Sequence, residues 1–147
     1  MFFEKIIRIA KTENLIKKVF AIDPPVVALL NSENGRAETE VKIGTHISLT
    51  CSVSDGNPSV SELFPYQLYF TWCIAPLKLQ YFPNCNSDCC PLPPNVKRTM
   101  LWGTEIIDIS TAQLNHLGKY WCFVYVKKIN ASSQSNIHNM KLERKIN

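Results

Sequence analysis

The sequence has little glycine and no long hydrophobic run. Five glycines in 147 residues form no glycine-rich loop of the kind that cradles a nucleotide phosphate. No stretch approaches the roughly 20 apolar residues that a membrane-spanning helix needs. Near the N-terminus, Glu4, Lys5, Arg8 and Lys11 interrupt the apolar run that a secretory signal must keep continuous. We therefore expect no phosphate loop and no transmembrane segment in this chain, and a secretory signal is not evident.

Histidine is also scarce. His46, His116 and His138 are the only three, and they fall in separate predicted elements without a nucleophile elbow or a zinc-protease helix motif. The predicted place of His116 is a corner between strands, and His46 is expected to face solvent. The sequence therefore predicts a protein that is not an enzyme and that needs no cofactor.

The net charge of +4 does not indicate a nucleic-acid partner, because the excess lies at the two ends of the chain. Residues 24–126 carry six basic and eight acidic side chains, whereas residues 1–23 carry five and three and residues 127–147 carry five and one. A central region with net charge −2 offers no basic stripe for phosphates. Nucleic-acid binding is therefore not expected.

Six cysteines in a chain of this size indicate an oxidising compartment, since cytosolic thiols are kept reduced and small secreted folds use disulfides for stability. The alternative is a set of buried free thiols. At 147 residues the chain has room for one hydrophobic core and not for two. The expected organisation is a single domain.

Four residues carry a family resemblance. Cys51 and Cys122 bracket Trp72, and Tyr120 precedes the second cysteine by two residues, an order that resembles the immunoglobulin superfamily over residues 24–143. The resemblance implies an all-β fold, a two-sheet Greek-key sandwich in which Cys51 bonds to Cys122 across the core, Trp72 packs on the sulfurs and the Tyr120 hydroxyl returns to upstream backbone.

Details of the resemblance point to cell-surface modules. The Pro-Pro-Val-Val opening at 24–27 and the Ile-Asp-Ile strand at 107–109 are similar to adhesion-type intermediate domains, and the Trp-Cys pair at 72–73 is similar to the variable-type domains of polymeric-immunoglobulin-receptor-like proteins. One departure is His116, which stands where the family usually has aspartate. We therefore expect Arg98, the usual partner of that aspartate, to lack it.

Alternation of apolar and polar residues predicts the strands. They are expected at 26–30, 39–42, 46–51, 68–73, 105–109, 120–125 and 137–143. Leu114 is expected to cap the core at the corner between the fifth and sixth of these strands, with Gly118 giving the turn its flexibility. Met140 and Leu142 are expected to face inward.

Residues 74–95 form a segment rich in proline and cysteine, which cannot be a regular strand throughout because proline removes backbone donors. We expect a looped insertion held by disulfides. Cys73, outward-facing at the end of the strand before it, is predicted to pair with one of Cys85, Cys89 or Cys90. The alternative is a zinc site on Cys85, Cys89 and Cys90, completed by Cys73 or His116.

Four aromatic side chains are predicted to share the outer face of one sheet: Tyr69, Trp121, Phe123 and Tyr125. Large aromatic residues are enriched at binding cores, so this face is the candidate protein-binding site. The alternative is that the cysteine-rich insertion or the N-terminal segment covers these residues and makes a second small core.

The remaining segments flank the sandwich. Residues 1–23 have basic amphipathic helical spacing and are expected to be a helical or disordered extension or linker, and residues 144–147 a tail. Asn130 begins the usable N-glycosylation sequon, in the predicted turn before the last strand. The chain is interpreted as a piece of a longer extracellular protein, or as an incomplete gene model, whose secretory signal and membrane anchor lie elsewhere.

Together these features predict an extracellular or cell-surface recognition or adhesion module without catalytic activity, whose partner is a protein ligand. The alternative is a structural spacer that contacts only neighbouring immunoglobulin-like domains.

Overall fold

The computed structural model describes residues 26–54, 68–101, 103–126 and 131–143. These residues form nine strands and two short 3₁₀ turns, Leu79–Tyr81 and Leu114–His116. The strands are β1 (Val26–Asn31), β2 (Glu38–Val41), β3 (Ile47–Ser54), β4 (Leu68–Pro76), β5 (Val96–Leu101), β6 (Thr104–Ile109), β7 (Gly118–Val126), β8 (Ala131–Gln134) and β9 (His138–Leu142).

The strands form two sheets. The first has the order β1-β3-β6-β5 and is antiparallel throughout. The second has the order β2-β9-β7-β4, with β8 also pairing β7, and its one parallel pair joins β2 to β9. The first described strand, β1, therefore belongs to one sheet and the next, β2, to the other. The predicted all-β, two-sheet sandwich is confirmed.

Strict alternation builds the core between the sheets. Along β3 and β6 every second residue is buried, so each strand gives one row of side chains to the core and one to the outside. The fully buried hydrophobic side chains include Leu29, Val41, Leu49, Ile74, Ile107, Leu117, Tyr120 and Val124. Both sheets contribute to this set, which is the arrangement of a sandwich core.

Two strands and three residues differ from the sequence prediction. β5 and β8 were not predicted, and Ile74, expected in the insertion, is fully buried within β4. Leu114 is exposed, because its 3₁₀ turn places Ala112 and Leu117 in the core instead. Leu142 is also exposed, because β7 begins at Gly118 opposite Met140, so Leu142 lies beyond its end.

Position 118 needs glycine because the backbone of β4 lies too close for a Cβ atom, and not because the turn must be flexible. Its φ is +148°, and a Cβ built on it would lie 2.3 Å from the Ala75 carbonyl oxygen. Gly118 and Pro76 are register partners on β7 and β4, so the two strands approach closely where their pairing ends. Only glycine fits at this position.

In the part of the chain that the structure describes, no helix is long and apolar enough to cross a membrane.

Candidate protein-binding face

The face rests on a disulfide that joins the two sheets. The Sγ atoms of Cys51 on β3 and Cys122 on β7 are 2.05 Å apart, with Cα atoms 6.4 Å apart. Trp72 on β4 lies opposite Cys122 in the strand register and is buried. The predicted partners of the core disulfide therefore meet, with the tryptophan beside them.

Tyr120 closes the corner that precedes β7. Its hydroxyl donates a 2.5 Å hydrogen bond to the carbonyl oxygen of His116, four residues upstream, and burial raises the pKa of the phenol far above its ordinary value. The His116 Nδ1 accepts the backbone N–H of Gln113 at 2.9 Å. Burial lowers the pKa of His116, which keeps the ring neutral and able to accept that bond.

Arg98 has a carboxylate partner that sequence reasoning missed. Its Nη2 lies 2.9 Å from the Oε1 of Glu105 and donates a second bond of 2.7 Å to the Phe70 carbonyl oxygen. The same Oε1 accepts the indole N–H of Trp72 at 2.5 Å. Arg98 lacks the aspartate that His116 replaces, and Glu105, on the inward row of β6 with Ile107, supplies a carboxylate instead.

The cysteine-rich segment between β4 and β5, predicted as an insertion, is fixed to β4 by one disulfide and closed on itself by a second. Cys73 bonds to Cys89 and Cys85 bonds to Cys90, and the backbones of Ile74 and Cys90 exchange two hydrogen bonds of 2.8 Å. Cys73 points away from the sandwich core, as expected, but only 4% of it is exposed. The predicted pairing of Cys73 with this segment is met at Cys89, and the segment covers the outer side of β4 at Cys73.

The zinc interpretation finds no ligands. All six cysteines are in disulfides, whereas zinc is bound by thiolates. His116, its other proposed ligand, is already bonded to Gln113. Across the described residues, no group of three or more His, Cys, Asp or Glu side chains is placed to hold a metal ion.

The four predicted aromatic residues lie on one face of β4 and β7. Tyr69 is directly opposite Tyr125, and two residues along, Thr71 is opposite Phe123. The next row pairs Cys73 with Trp121. Alternate residues of a strand share a face, so these rows form a continuous strip, which we call the aromatic face.

Exposure is uneven along the aromatic face. Tyr69 and Tyr125 are 40% and 37% exposed, Thr71 is exposed, and Phe123 and Trp121 are half-buried. Trp121 is the residue beside the disulfide that ties down the insertion. Of the four aromatic residues predicted on this face, only Tyr69 and Tyr125 are therefore more than one third exposed, and the accessible part of the face is its Tyr69 end.

The strip carries no charge over its first two rows. On β8, Ser132 lies opposite Tyr125 and Gln134 lies opposite Phe123, so β8 extends these rows with uncharged polar side chains. Within the described residues of β7, the charged residue on this side is Lys119, at the far end beyond Trp121. Such a surface offers aromatic contact and neutral hydrogen bonding, without an ion-pairing group.

A buried polar cluster also escaped sequence reasoning. The Asn31 amide donates to the Thr39 hydroxyl at 2.9 Å, and that hydroxyl lies 2.9 Å from the Nε2 of fully buried His138. Burial lowers the pKa of His138, opposed by a backbone interaction with Leu29 and by the charge of Glu38. The cluster joins β1, β2 and β9 and is structural.

The predicted sequon residue Asn130 lies outside the described residues.

The fold is shared with solved structures of immunoglobulin domains. Two fragments of titin spanning domains I67–I69, an I-band fragment and its E-to-A mutated variant, each superpose with a TM-score of 0.53 at 14% identity. Each match covers 82% of this chain and 33% of the titin fragment. No family model and no curated protein matches the sequence. The chain therefore has an immunoglobulin-like fold, as the sequence predicted.

Proposed function

We propose that this protein is a noncatalytic immunoglobulin-like recognition module that binds a protein partner through its aromatic face. The observation that supports the proposal is the row in which Tyr69 and Tyr125 lie opposite each other, both more than one third exposed. Thr71 and Ser132 flank this row without charge.

The composition of the face suits protein contact. Interface cores are enriched in tyrosine, tryptophan and phenylalanine and depleted in charged residues, and tyrosine supplies large contact area with few rotatable bonds. The strands beneath the face are paired on both sides of β7 and held by the disulfide to β3. A partner would therefore meet a rigid surface and lose little entropy in ordering it.

An extracellular or cell-surface location belongs to the same proposal. Three disulfides within 147 residues support it, since disulfides persist in oxidising compartments. The intermediate type of domain, with an adhesion role, is the form we propose, and the early crossing of the chain from β1 to β2 supports that assignment. Expression in a secretory host should attach a glycan at Asn130, and an Asn130→Gln variant should lose the mass that an N-glycosidase removes.

The test is a binding screen with a matched pair of variants. The disulfide-bonded chain, made multivalent to retain weak partners, is screened against an array of extracellular domains, and each hit is measured with the monovalent chain. Tyr125→Ser should weaken binding at least tenfold, which is typical of a truncated interface anchor. Met100→Ser, which removes an exposed side chain from β5 of the opposite sheet, should leave binding unchanged.

The second candidate is a structural spacer that contacts only neighbouring immunoglobulin-like domains. The titin fragments that share this fold hold three such domains each, which is the observation that favours it. If this candidate is right, Tyr125→Ser and Met100→Ser bind every hit equally. A hit for which only Tyr125→Ser loses affinity, while both variants keep the melting temperature, supports the recognition module.

A further inference from the structure

A cavity lies between the cysteine-rich insertion and the corner that precedes β7, and none of its lining residues belongs to the aromatic face. Its volume is about 240 Å³, below the 300 Å³ or so of typical small-molecule sites. The lining residues include Phe82, Cys85, Leu92, Pro93 and Asn115. A volume of this size suits one large side chain rather than a cofactor.

The walls of the cavity are held in place. Cys85 is bonded to Cys90, which in turn shares two backbone hydrogen bonds with Ile74 of β4. Phe82 and Leu92 are half-buried and pack against the hydrophobic core. The cavity is therefore part of the folded framework, and a ligand would not need to order a loop to enter it.

The lining is mainly apolar, with one unsatisfied polar atom. Within the described residues, the Oδ1 of Asn115 has no hydrogen-bond partner and is shielded from solvent. A buried acceptor without a donor costs free energy, and the terminal torsion of asparagine rotates over a broad range. A donor that entered the cavity could therefore pair with this amide and remove that cost.

The surroundings of the cavity favour a protein rather than a free small molecule. Leu79, whose carbonyl oxygen accepts the N–H of the lining residue Phe82, and Leu114, next to the lining residue Asn115, are both exposed. Exposed apolar side chains beside a pocket are a feature of protein-contact sites. Anchors that fill such pockets at interfaces are most often tryptophan and tyrosine, which bury a ring and satisfy one donor.

We propose that this cavity is a second binding site, which takes an aromatic side chain carrying a hydrogen-bond donor, tyrosine or tryptophan, from a protein partner. The ring fills the apolar space against Phe82, Leu92 and the prolines, and the O–H or N–H donates to Asn115. The site is independent of the aromatic face, so its failure or success leaves the proposed function untouched.

The test uses probes that differ by one hydroxyl group. Capped tyrosine and capped phenylalanine, each as the N-acetyl methylamide, are titrated into the isotopically labelled, disulfide-bonded full chain and followed by NMR. Capped tyrosine should shift the signals of Leu92, Cys85 and the Asn115 side-chain amide saturably. It should bind about tenfold more tightly than capped phenylalanine, a difference of about 1.4 kcal/mol, and capped tryptophan should behave like tyrosine.

Three variants make the assignment specific. Asn115→Leu should remove the preference for tyrosine while leaving some binding of both rings. Asn84→Trp, at an exposed lining residue, should block the cavity and abolish binding. Asn86→Trp, exposed on the same insertion but not in the lining, is the matched control and should bind as the unaltered chain does.

Several results would overturn the proposal. Equal affinity for capped tyrosine and capped phenylalanine would remove the role of Asn115, and shifts that map outside the lining residues would remove the site. No saturable binding of any probe would do the same. Nuclear Overhauser contacts from the Leu92 methyls to aromatic protons within residues 1–23 would show that this chain's own N-terminal segment is the occupant.

Discussion

The indole N–H of Trp72 donates a 2.5 Å hydrogen bond to the Oε1 of Glu105, a carboxylate oxygen that also lies 2.9 Å from the Arg98 guanidinium. Trp72 belongs to β4 of one sheet and Glu105 to β6 of the other, so this bond joins the two sheets inside the sandwich. It holds the Trp72 ring beside the core disulfide, and the buried Glu105 oxygen accepts hydrogen bonds from Trp72 and from both the Nε and the Nη2 of Arg98.

Removing Glu105 should therefore be costly. Glu105→Ala leaves the buried Trp72 donor unpaired and Arg98 without its carboxylate, and breaking a buried pair in this way costs about 3 kcal/mol of unfolding free energy. Urea denaturation of the disulfide-bonded protein measures it. The control is Asp108→Ala, whose ion pair with His46 lies on the surface and is worth about 0 to 1 kcal/mol. Equal losses for the two variants would contradict the assignment.

Gly118→Ala should destabilise the protein far more than alanine at a glycine with room around it. The new Cβ would lie 2.3 Å from the Ala75 carbonyl oxygen, so β7 and β4 must separate, and we expect a loss of about 3 kcal/mol or more. Gly35 also has positive φ but has no atom within 4 Å of its Cβ position. Gly35→Ala should cost only about 1 to 2 kcal/mol. Thermal unfolding compares the two, and the prediction fails if Gly35→Ala costs as much.

The disulfides should differ in their contribution because they close loops of different length. Cys51 and Cys122 are 71 residues apart, whereas Cys85 and Cys90 are five apart. In the chain-entropy description, the longer loop stabilises by about 4 kcal/mol and the shorter by about 2 kcal/mol. Double alanine variants of each pair, compared by urea denaturation, should show this order. A larger loss from the short loop would indicate that the insertion, and not the inter-sheet bond, dominates the stability of the fold.

Stability should fall as the pH drops below about 6.5, the ordinary histidine pKa in an unfolded chain. Burial lowers the pKa of both His138 and His116 in the folded protein, so the unfolded chain takes up protons that the native state resists. The contribution of these two neutral histidines to the unfolding free energy is complete above the unfolded-state pKa. It is lost as the pH falls from there through their lower pKa values in the folded protein. The Lys141 partner lowers the pKa of the exposed Glu38, whose contribution is lost at more acidic pH.

The measurement is the unfolding free energy at pH 7.5 and at pH 5.5, a window above the titration of the carboxylates. His138→Asn should reduce the difference between the two values. Met140→Leu, a change without a titrating group two residues along the same strand, should leave the difference unchanged. A His138→Asn variant with the full acid dependence would show that His138 does not cause it.

The two-sheet fold of this protein could be predicted from a few residues and their spacing in the sequence. The order of Cys51, Trp72, Tyr120 and Cys122 resembles the immunoglobulin superfamily, and that resemblance implied two facing sheets. Apolar residues at every second position of β3 indicated which side of that strand is buried, because alternate residues of extended backbone share a face. The all-β sandwich followed from the resemblance together with this pattern.

Long-range pairing decided what the pattern left open. β5 and β8 have no clear alternation of their own, and their places come from pairing with β6 and β7. The choice of Cys89 for Cys73, the meeting of Glu105 with Arg98 and the burial of His138 against Thr39 each join residues distant in sequence or in different strands.

The sequence by itself therefore determined the fold class, through the family resemblance of Cys51, Trp72, Tyr120 and Cys122, and the row of aromatic residues on β4 and β7, through side-chain alternation along single strands. Only the tertiary structure decided how much of that row stays accessible, and that the insertion and the corner before β7 enclose a cavity. Those outcomes depend on which segments the disulfides and sheet register bring together, and no local pattern encodes such distances.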